Sequence, residues 1–456
     1  MSELNRRNFT KLAAGAAVGT SVAGCTGDGS EGEGNGDSGS GDDLESGERP
    51  VQWIAYPAAA REEQVNKYEE MTGVELNTTN NTISETQQRV LGGENESLDA
   101  ATVPTDSIGA LIDNDMTIPM PVDELDNWDE EFISDTFLNP TERLSSIGAQ
   151  AEAIDEIVYA DEEQTELEFP PYIYNFDAIG YNPEFVDDVS LWSSLVDDQY
   201  EGETIIGETA AITIPEILMH LVDTDQVDAE VGELNNPSRD MMDAAIDTLV
   251  ENKEAGQFRS TWEGYGESVT LLASEEAVLG DVWQPAALDV RREGTPCTYA
   301  TMSDGIQGYR MWYTGIAALN PGARDRNNLA EVRALVNDVH WGAWFPGFVQ
   351  QWGYSVPHYE NEDLVRDGSD ESGEGMGPEY YDWAYRGEAT YDSVDDPALF
   401  DPMEYDWSDE EGDPASDGAV RDSGPIEERF DRAGFFQIWP DEAEYMIEQW
   451  RDFLAA

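Results

Sequence analysis

Short apolar runs alternate with longer amphipathic stretches from Val51 onward, and this alternation restricts the fold more than any other feature of the chain. Val51-Gln52-Trp53-Ile54 reads as a strand and residues 61–71 as a helix ending at Thr72-Gly73, where Gly73 suits a left-handed C-cap. Val74-Glu75-Leu76 begins a second strand, residues 84–91 a second helix, and residues 100–103 a buried strand stopped by Pro104. A helix follows over 107–112. The order returns later in the chain: strands at 204–206, 277–282 and 316–319, the last closed by Asn320-Pro321-Gly322, with helices at 214–222, 241–252, 329–339 and 442–454. Strands interleaved with helices imply βαβ units, hence an α/β fold with a mainly parallel sheet. A β-rich, repetitive surface-layer protein does not fit that pattern, and no fixed repeat is present.

The first 25 residues read differently. Arg6-Arg7 precede an Ala- and Gly-rich run over 12–24 that ends at Val22-Ala23-Gly24-Cys25. The run is too short for a bilayer span, which takes about 20 residues, and resembles a secretory h-region. Asn5-Arg6-Arg7-Asn8-Phe9 resembles a twin-arginine export signal, which is read by a receptor. Val-Ala-Gly-Cys resembles a lipobox, so Cys25 is expected to carry lipid on the outer face of the membrane. Residues 26–49 are Gly, Ser, Asp and Glu without apolar periodicity, a flexible acidic tether. Residues 360–425 are again acidic and rich in Gly and Pro, and read as surface loops around a short aromatic helix near 380–385.

Net charge is -75, from 98 acidic and 23 basic side chains. Self-repulsion on that scale is severe in dilute buffer, and about 1 M salt shortens the Debye length to about 3 Å. The pattern resembles proteins of extreme halophiles. Disorder is a poor alternative, because 39% of the residues are hydrophobic and 10% aromatic. Nucleic acid is excluded as a partner for want of clustered cations. With Cys25 lipidated, Cys297 has no partner for a disulfide.

Four segments, in order, resemble the solute-binding proteins of ABC importers, in the group that includes spermidine and putrescine binders. FPPYIYNFDAIGYN at 169–182 is similar to that family's P-Y-x-W-G-x-x-x-I-x-x-N. Leu191-Trp-Ser-Ser-Leu195 with Tyr200-Glu-Gly202 resembles its S-W-x-D-L-W-x-P-x-Y-K-G. Val282-Trp283 through Gly294-Thr-Pro296, and Trp352-Gly-Tyr-Ser-Val-Pro357, match a V-W-x-x-x-A…G-T-P run and a G-Y-x-T-P turn. The resemblance covers roughly 50–358. It implies a type II, periplasmic-binding-protein-like fold of two α/β lobes with a ligand cleft between them. Lobe 1 would hold 50–178 and 313–356, and lobe 2 would hold 179–312 and 357–456. It further implies a monomer that closes on a small solute, polyamine or another small organic compound, and docks on an ABC permease.

Carried over position by position, the resemblance places Tyr56, Tyr174, Trp283 and Trp312 among the ligand aromatics, with Thr105, Asp106 and Ser107 on the turn after Pro104. Aromatic faces attract alkylammonium groups by about 0.5–2 kcal/mol each, while ordinary core packing is the alternative for any one ring. The acids that pair amines in polyamine binders fall on Thr209, Ile212 and Thr314, so those carboxylates are missing. Asp106, Asp177, Glu208 and Asp281 are the nearby acids. Arg310 is read either as a bidentate anion contact or as half of a structural ion pair.

No catalytic, metal-binding or cofactor motif is present. His220, His340 and His358 lack metal-ligand spacing, and no GxSxG elbow, P-loop or GxGxxG follows a strand. Two alternatives stay open: a secreted hydrolase acting through a carboxylate pair, and a ferric-ion binder using Tyr380-Tyr381. Asn77, Asn80 and Asn95 lie in glycosylation sequons.

Overall fold

The computed structural model describes residues 49–56, 60–129, 133–144, 149–187, 189–342, 344–350, 352–357 and 429–456. Cys25 and the expected signal segment, nearly all of the tether, His358, the 360–425 stretch and Tyr380-Tyr381 lie outside them.

The chain begins as read. Strand β1 (Val51–Ala55), helix α1 (Glu62–Thr72), β2 (Leu76–Asn80), α2 (Ile83–Leu91), β3 (Ala100–Pro104) and α3 (Thr105–Asp113) follow one another. Gly73 ends α1 at φ 73°, the left-handed C-cap that glycine adopts without steric cost. The later elements are β4 (Pro171–Tyr181), β5 (Thr204–Gly207), α4 (Ala210–Asp223), α5 (Arg239–Ala255), β6 (Phe258–Trp262), α6 (Tyr265–Ala273), β7 (Leu279–Val282), α7 (Gln284–Arg292), β8 (Tyr309–Leu319), α8 (Leu329–Ala334), β9 (Ala433–Phe436) and α9 (Ala443–Ala455).

One sheet of 11 strands runs β2-β1-β3-β8-β4-β7-β5-β6 along its main path, with β9 joined to β8. β1, β2 and β3 are mutually parallel, as are β5, β6 and β7. The junction differs from the mainly parallel sheet expected. β8 is antiparallel to β3 and to β4, and β4 is antiparallel to β7. The cause is connectivity: β4 carries the chain out of the first parallel group and β8 brings it back, so they must point in opposite directions. Each is 11 residues long and buried throughout, because β4 is covered by β8 along 171–177 and by β7 along 178–181, and β8 is flanked by β3, β4 and β9.

The helix expected over 329–339 also departs from regularity. α8 stops at Ala334 and a π-helical turn, Leu335–His340, continues it. The wider turn puts His340, wholly buried, against α1: Nδ1 lies 2.6 Å from the Leu335 carbonyl and Nε2 2.8 Å from Gln64 Nε2. Cys297 is buried and in no disulfide among the described residues. Of the sequon residues, Asn77 and Asn80 are exposed on β2, whereas Asn95 is buried with its amide on the Asn320 carbonyl. No described helix is long and apolar enough to cross a membrane.

Candidate functional site

Successive strand residues face opposite ways, so Arg310, Trp312 and Thr314 share one face of β8. Register sets Asp177 of β4 opposite Arg310 on that face. Tyr174 is three residues from Asp177 and pairs with Tyr313, which puts it on the other face. There its ring packs with Phe137 and Phe430. The structure therefore separates Tyr174 from the group to which the resemblance assigned it.

Behind Trp312 lies a buried cluster of charges. Arg310 donates to Glu216 Oε1 at 2.6 Å and to Asp177 Oδ2 at 3.1 Å, and all three side chains have no solvent exposure. Trp312 Nε1 also donates to Asp177. Of the two roles left open for Arg310, the structure shows the ion pair. Asp281 stands beside them, accepting from the Gly207 amide at 2.9 Å and from Trp262 Nε1 at 3.2 Å. Glu216 Oε2 has no donor and neighbours Asp281, itself an acceptor. Two carboxylates in contact need a proton between them. Burial and then the Asp281 charge raise Glu216 well above the usual carboxylate range, so the proton rests there. Burial also raises Asp177 and Asp281. For Arg310 burial acts against the charge, but Asp177, Glu216 and Asp281 outweigh it and raise its pKa.

In front of the cluster stand aromatic rings. Trp283, at the entrance to α7, packs edge-on to Trp262 at 4.8 Å and stacks with Tyr265 at 6.1 Å. Trp312 meets Tyr354 edge-on at 6.1 Å. The Tyr56 hydroxyl is 2.6 Å from Thr314 Oγ1. Thr105 Oγ1 donates to the Gln437 carbonyl at 3.0 Å, while Gln437 Nε2 and Ser107 Oγ donate to Asp106 at 2.8 and 3.2 Å. Burial raises Asp106, against those two hydrogen bonds. Glu208 is tied elsewhere, by its side chain to Thr261 and by its carbonyl to Trp450. The three positions lacking acids stay without charge: Thr209 precedes α4, Ile212 is buried, and Thr314 holds Tyr56.

Sequence reasoning missed Glu216, Gln437, Arg61 and Tyr354. Glu216 had a signal, as the one carboxylate in the apolar run over 210–222. Arg61 lies with Cζ 3.6 Å above the Trp352 ring, and Arg292 approaches the same ring at 4.9 Å. Only the fold brings those residues together. Among the described residues no group of three or more His, Cys, Asp or Glu is placed to hold a metal ion. A surface depression lined by Gln226, Asp228, Glu233 and Met241 shares no residue with the group above and has no aromatic wall.

A family model described as bacterial extracellular solute-binding protein matches residues 63–330. No curated protein matches the sequence. Among solved structures, a Listeria monocytogenes protein described as a spermidine/putrescine ABC transporter is similar at TM-score 0.56 and 13% identity, covering 89% of this chain and 98% of its own. The spermidine/putrescine ABC transporter substrate-binding protein PotD from Streptococcus pneumoniae gives 0.55 and 13%, covering 89% and 99%. The binding protein MotA from A. tumefaciens, in complex with glucopine, gives 0.51 and 11%, covering 69% and 86%. The fold is the two-lobed type II α/β fold of periplasmic substrate-binding proteins.

Proposed function

The chain belongs to the bacterial extracellular solute-binding proteins, and from that premise we propose that it captures a small organic solute between its lobes and delivers it to an ABC transporter. Lobe 1 comprises 50–178 and 313–356, and lobe 2 comprises 179–312 and 357–456. Twin-arginine export, lipid on Cys25 and the 26–49 tether hold this monomeric receptor near its permease on the outer face of a halophile's membrane. No bond is made or broken. A secreted hydrolase would need a carboxylate pair open to substrate, and the acids paired beside Trp312 have no exposure.

The observation that carries the reading is an aromatic wall of two groups, Trp283 with Tyr265 and Trp312 with Tyr354, linked by the electrostatic interaction of Tyr265 with Tyr354 and set beside the two strands that join the parallel groups. Concave sites between lobes lined by rings and a few polar groups are where small ligands bind, and hinge closure around them is a common transition. Trp283, Trp312, Tyr56, Thr314, Thr105, Asp106 and Ser107 line the cleft, while Asp177, Glu216 and Arg310 hold Trp312 from behind. Tyr174 and Glu208 act in packing.

A thermal-shift screen in molar KCl against amino acids, polyamines, sugars and peptides tests this. A ligand present at about 100 times its Kd stabilises the native state by about 2.7 kcal/mol. Changing both Trp283 and Trp312 to Ala is expected to abolish the shift while the circular dichroism spectrum is retained. An unchanged affinity in that variant refutes the cleft assignment.

A further inference from the structure

Resting on that reading, the placement of unpartnered donors and acceptors narrows the solute. At one end of the aromatic wall there are donors without acceptors. Arg61 Nε is buried with no hydrogen-bond partner, and no ion pair joins the guanidinium to a described carboxylate. Its Cζ stands 3.6 Å from the centre of the Trp352 ring, whose own Nε1 is buried with no hydrogen-bond partner among the described residues. Arg292 covers the same ring but is paired with Asp289 at 2.7 Å. Tyr265 also holds Asp289, at 2.6 Å. Among the described residues Tyr354 and then Asp289 act on the Arg61 guanidinium electrostatically, but no carboxylate forms an ion pair with it. Two adjacent donors of this kind fit the oxygens of a carboxylate.

At the other end there are acceptors without donors. Gln437 is 4% exposed; its amide nitrogen serves Asp106, and its Oε1 has no donor. Asp106 accepts from the neutral Gln437 and Ser107 side chains and from its own backbone amide, and it feels Arg310 electrostatically, but it forms no ion pair among the described residues. These oxygens fit a protonated amine. Tyr354 and Tyr56 connect the two ends. Tyr354 interacts electrostatically with Arg61 and with Asp177 and meets the Trp312 ring, while Tyr56 interacts with both Tyr354 and Asp106.

We propose that the solute is a zwitterion, its carboxylate held by Arg61 and the Trp352 N–H, its ammonium by Asp106 and Gln437 Oε1, and its apolar part against Trp312 and Tyr354. A diamine would set a cation against Arg61, and a dicarboxylate would set an anion against Asp106.

The test is a thermal-shift and calorimetric series in molar KCl, using ω-amino acids from glycine to aminohexanoate with their matching diamines and monocarboxylates. Wild type is expected to be stabilised by amino acids of one chain length and by no diamine. Arg61→Gln should weaken that binding on the order of ten- to a hundred-fold, and Arg61→Lys should recover part of it. Unliganded melting of both variants, compared with wild type, confirms that they fold. Stabilisation by diamines alone, by none of the carboxylate-bearing probes, or equally in wild type and Arg61→Gln overturns the proposal. Trp312→Ala separates the two readings. Diamine binding lost in Trp312→Ala overturns the zwitterion and leaves the cleft standing. Amino-acid binding untouched by Trp312→Ala but lost in Arg61→Gln overturns the cleft assignment itself.

Discussion

Replacing Glu216 by Gln is expected to make the protein's stability less dependent on pH, in a direction the buried cluster dictates. Asp177, Glu216 and Asp281 face a single guanidinium, Arg310, and none of the four is exposed. Full ionisation would leave two negative charges uncompensated away from water, at several kcal/mol per ion. A proton on Glu216 relieves one of them. Its native pKa is thus raised above its ordinary value of 4.5, through burial first and the Asp281 charge second. The native state then holds a proton that the unfolded chain releases above 4.5. That contribution is complete below the unfolded value and is lost as pH rises through the native one, with a slope of about 1.4 kcal/mol per pH unit. Gln keeps the shape, cannot titrate, and its amide can donate to Asp281 as the proton does. Near pH 4 the two proteins should agree within about 1 kcal/mol. Two pH units higher on the slope the variant should have gained up to about 2.7 kcal/mol. Urea unfolding in molar KCl, followed by tryptophan fluorescence at several pH values, measures the difference. A difference that stays flat, or that moves in favour of wild type as pH rises, refutes the placement of the proton. Arg310→Met, which leaves the acids without a cation, should instead cost about 3–5 kcal/mol.

Four further predictions rest on other features. His340 is held neutral, its pKa pushed down to about 4 by burial, so its contribution is complete above 6.5 and lost as pH falls toward 4; about 3 kcal/mol is at stake, and His340→Gln should flatten the acid limb of the urea titration. A Cβ on Gly280 would overlap the Ile205 side chain and sit 2.8 Å from its carbonyl oxygen, so Gly280→Ala should cost about 1–3 kcal/mol. Gly266→Ala, on α6 with nothing within 4 Å, should be neutral or stabilising in the same melting experiment. Dialysis from about 1 M to about 0.01 M salt lengthens the Debye length from about 3 to about 30 Å, so helical circular dichroism should fall; a full spectrum in low salt contradicts the halophilic reading.

The strands and helices were legible where an apolar run lies between turn residues, as at Val51–Ala55 and Ala100–Pro104. Strand direction was not, because apolar composition is the same for parallel and antiparallel pairing; only the path of the chain makes β4 and β8 oppose each other. On one strand, spacing sufficed, and Arg310, Trp312 and Thr314 alternate onto one face as their numbers require. Between strands it failed. Asp177 meets Arg310 through a register that no local pattern encodes, and the same register turns Tyr174 away. Arg61 and Trp352 approach across most of the chain, so neither could be singled out as a site residue beforehand. Glu216 differs, since a lone carboxylate in an apolar helix is itself a sign of a buried partner.

Salt divides the acids of this chain into two populations, and the division can be measured. Exposed carboxylates repel through solvent, where mobile ions screen them, while a group without exposure is screened far less. Adding salt should therefore stabilise wild type and Glu216→Gln by the same amount, because both keep the same surface. The pH slope of the difference between them should not change from one molar salt concentration to a higher one, since the proton on Glu216 answers to Asp281 and Arg310 at contact distance. A slope that shrank with added salt would mean that Glu216 responds to the surface field and that the cluster does not shield it. Surface and interior then act as two separable conditions: mobile ions screen the exposed carboxylates, and one retained proton reduces the excess negative charge around Arg310 from two to one.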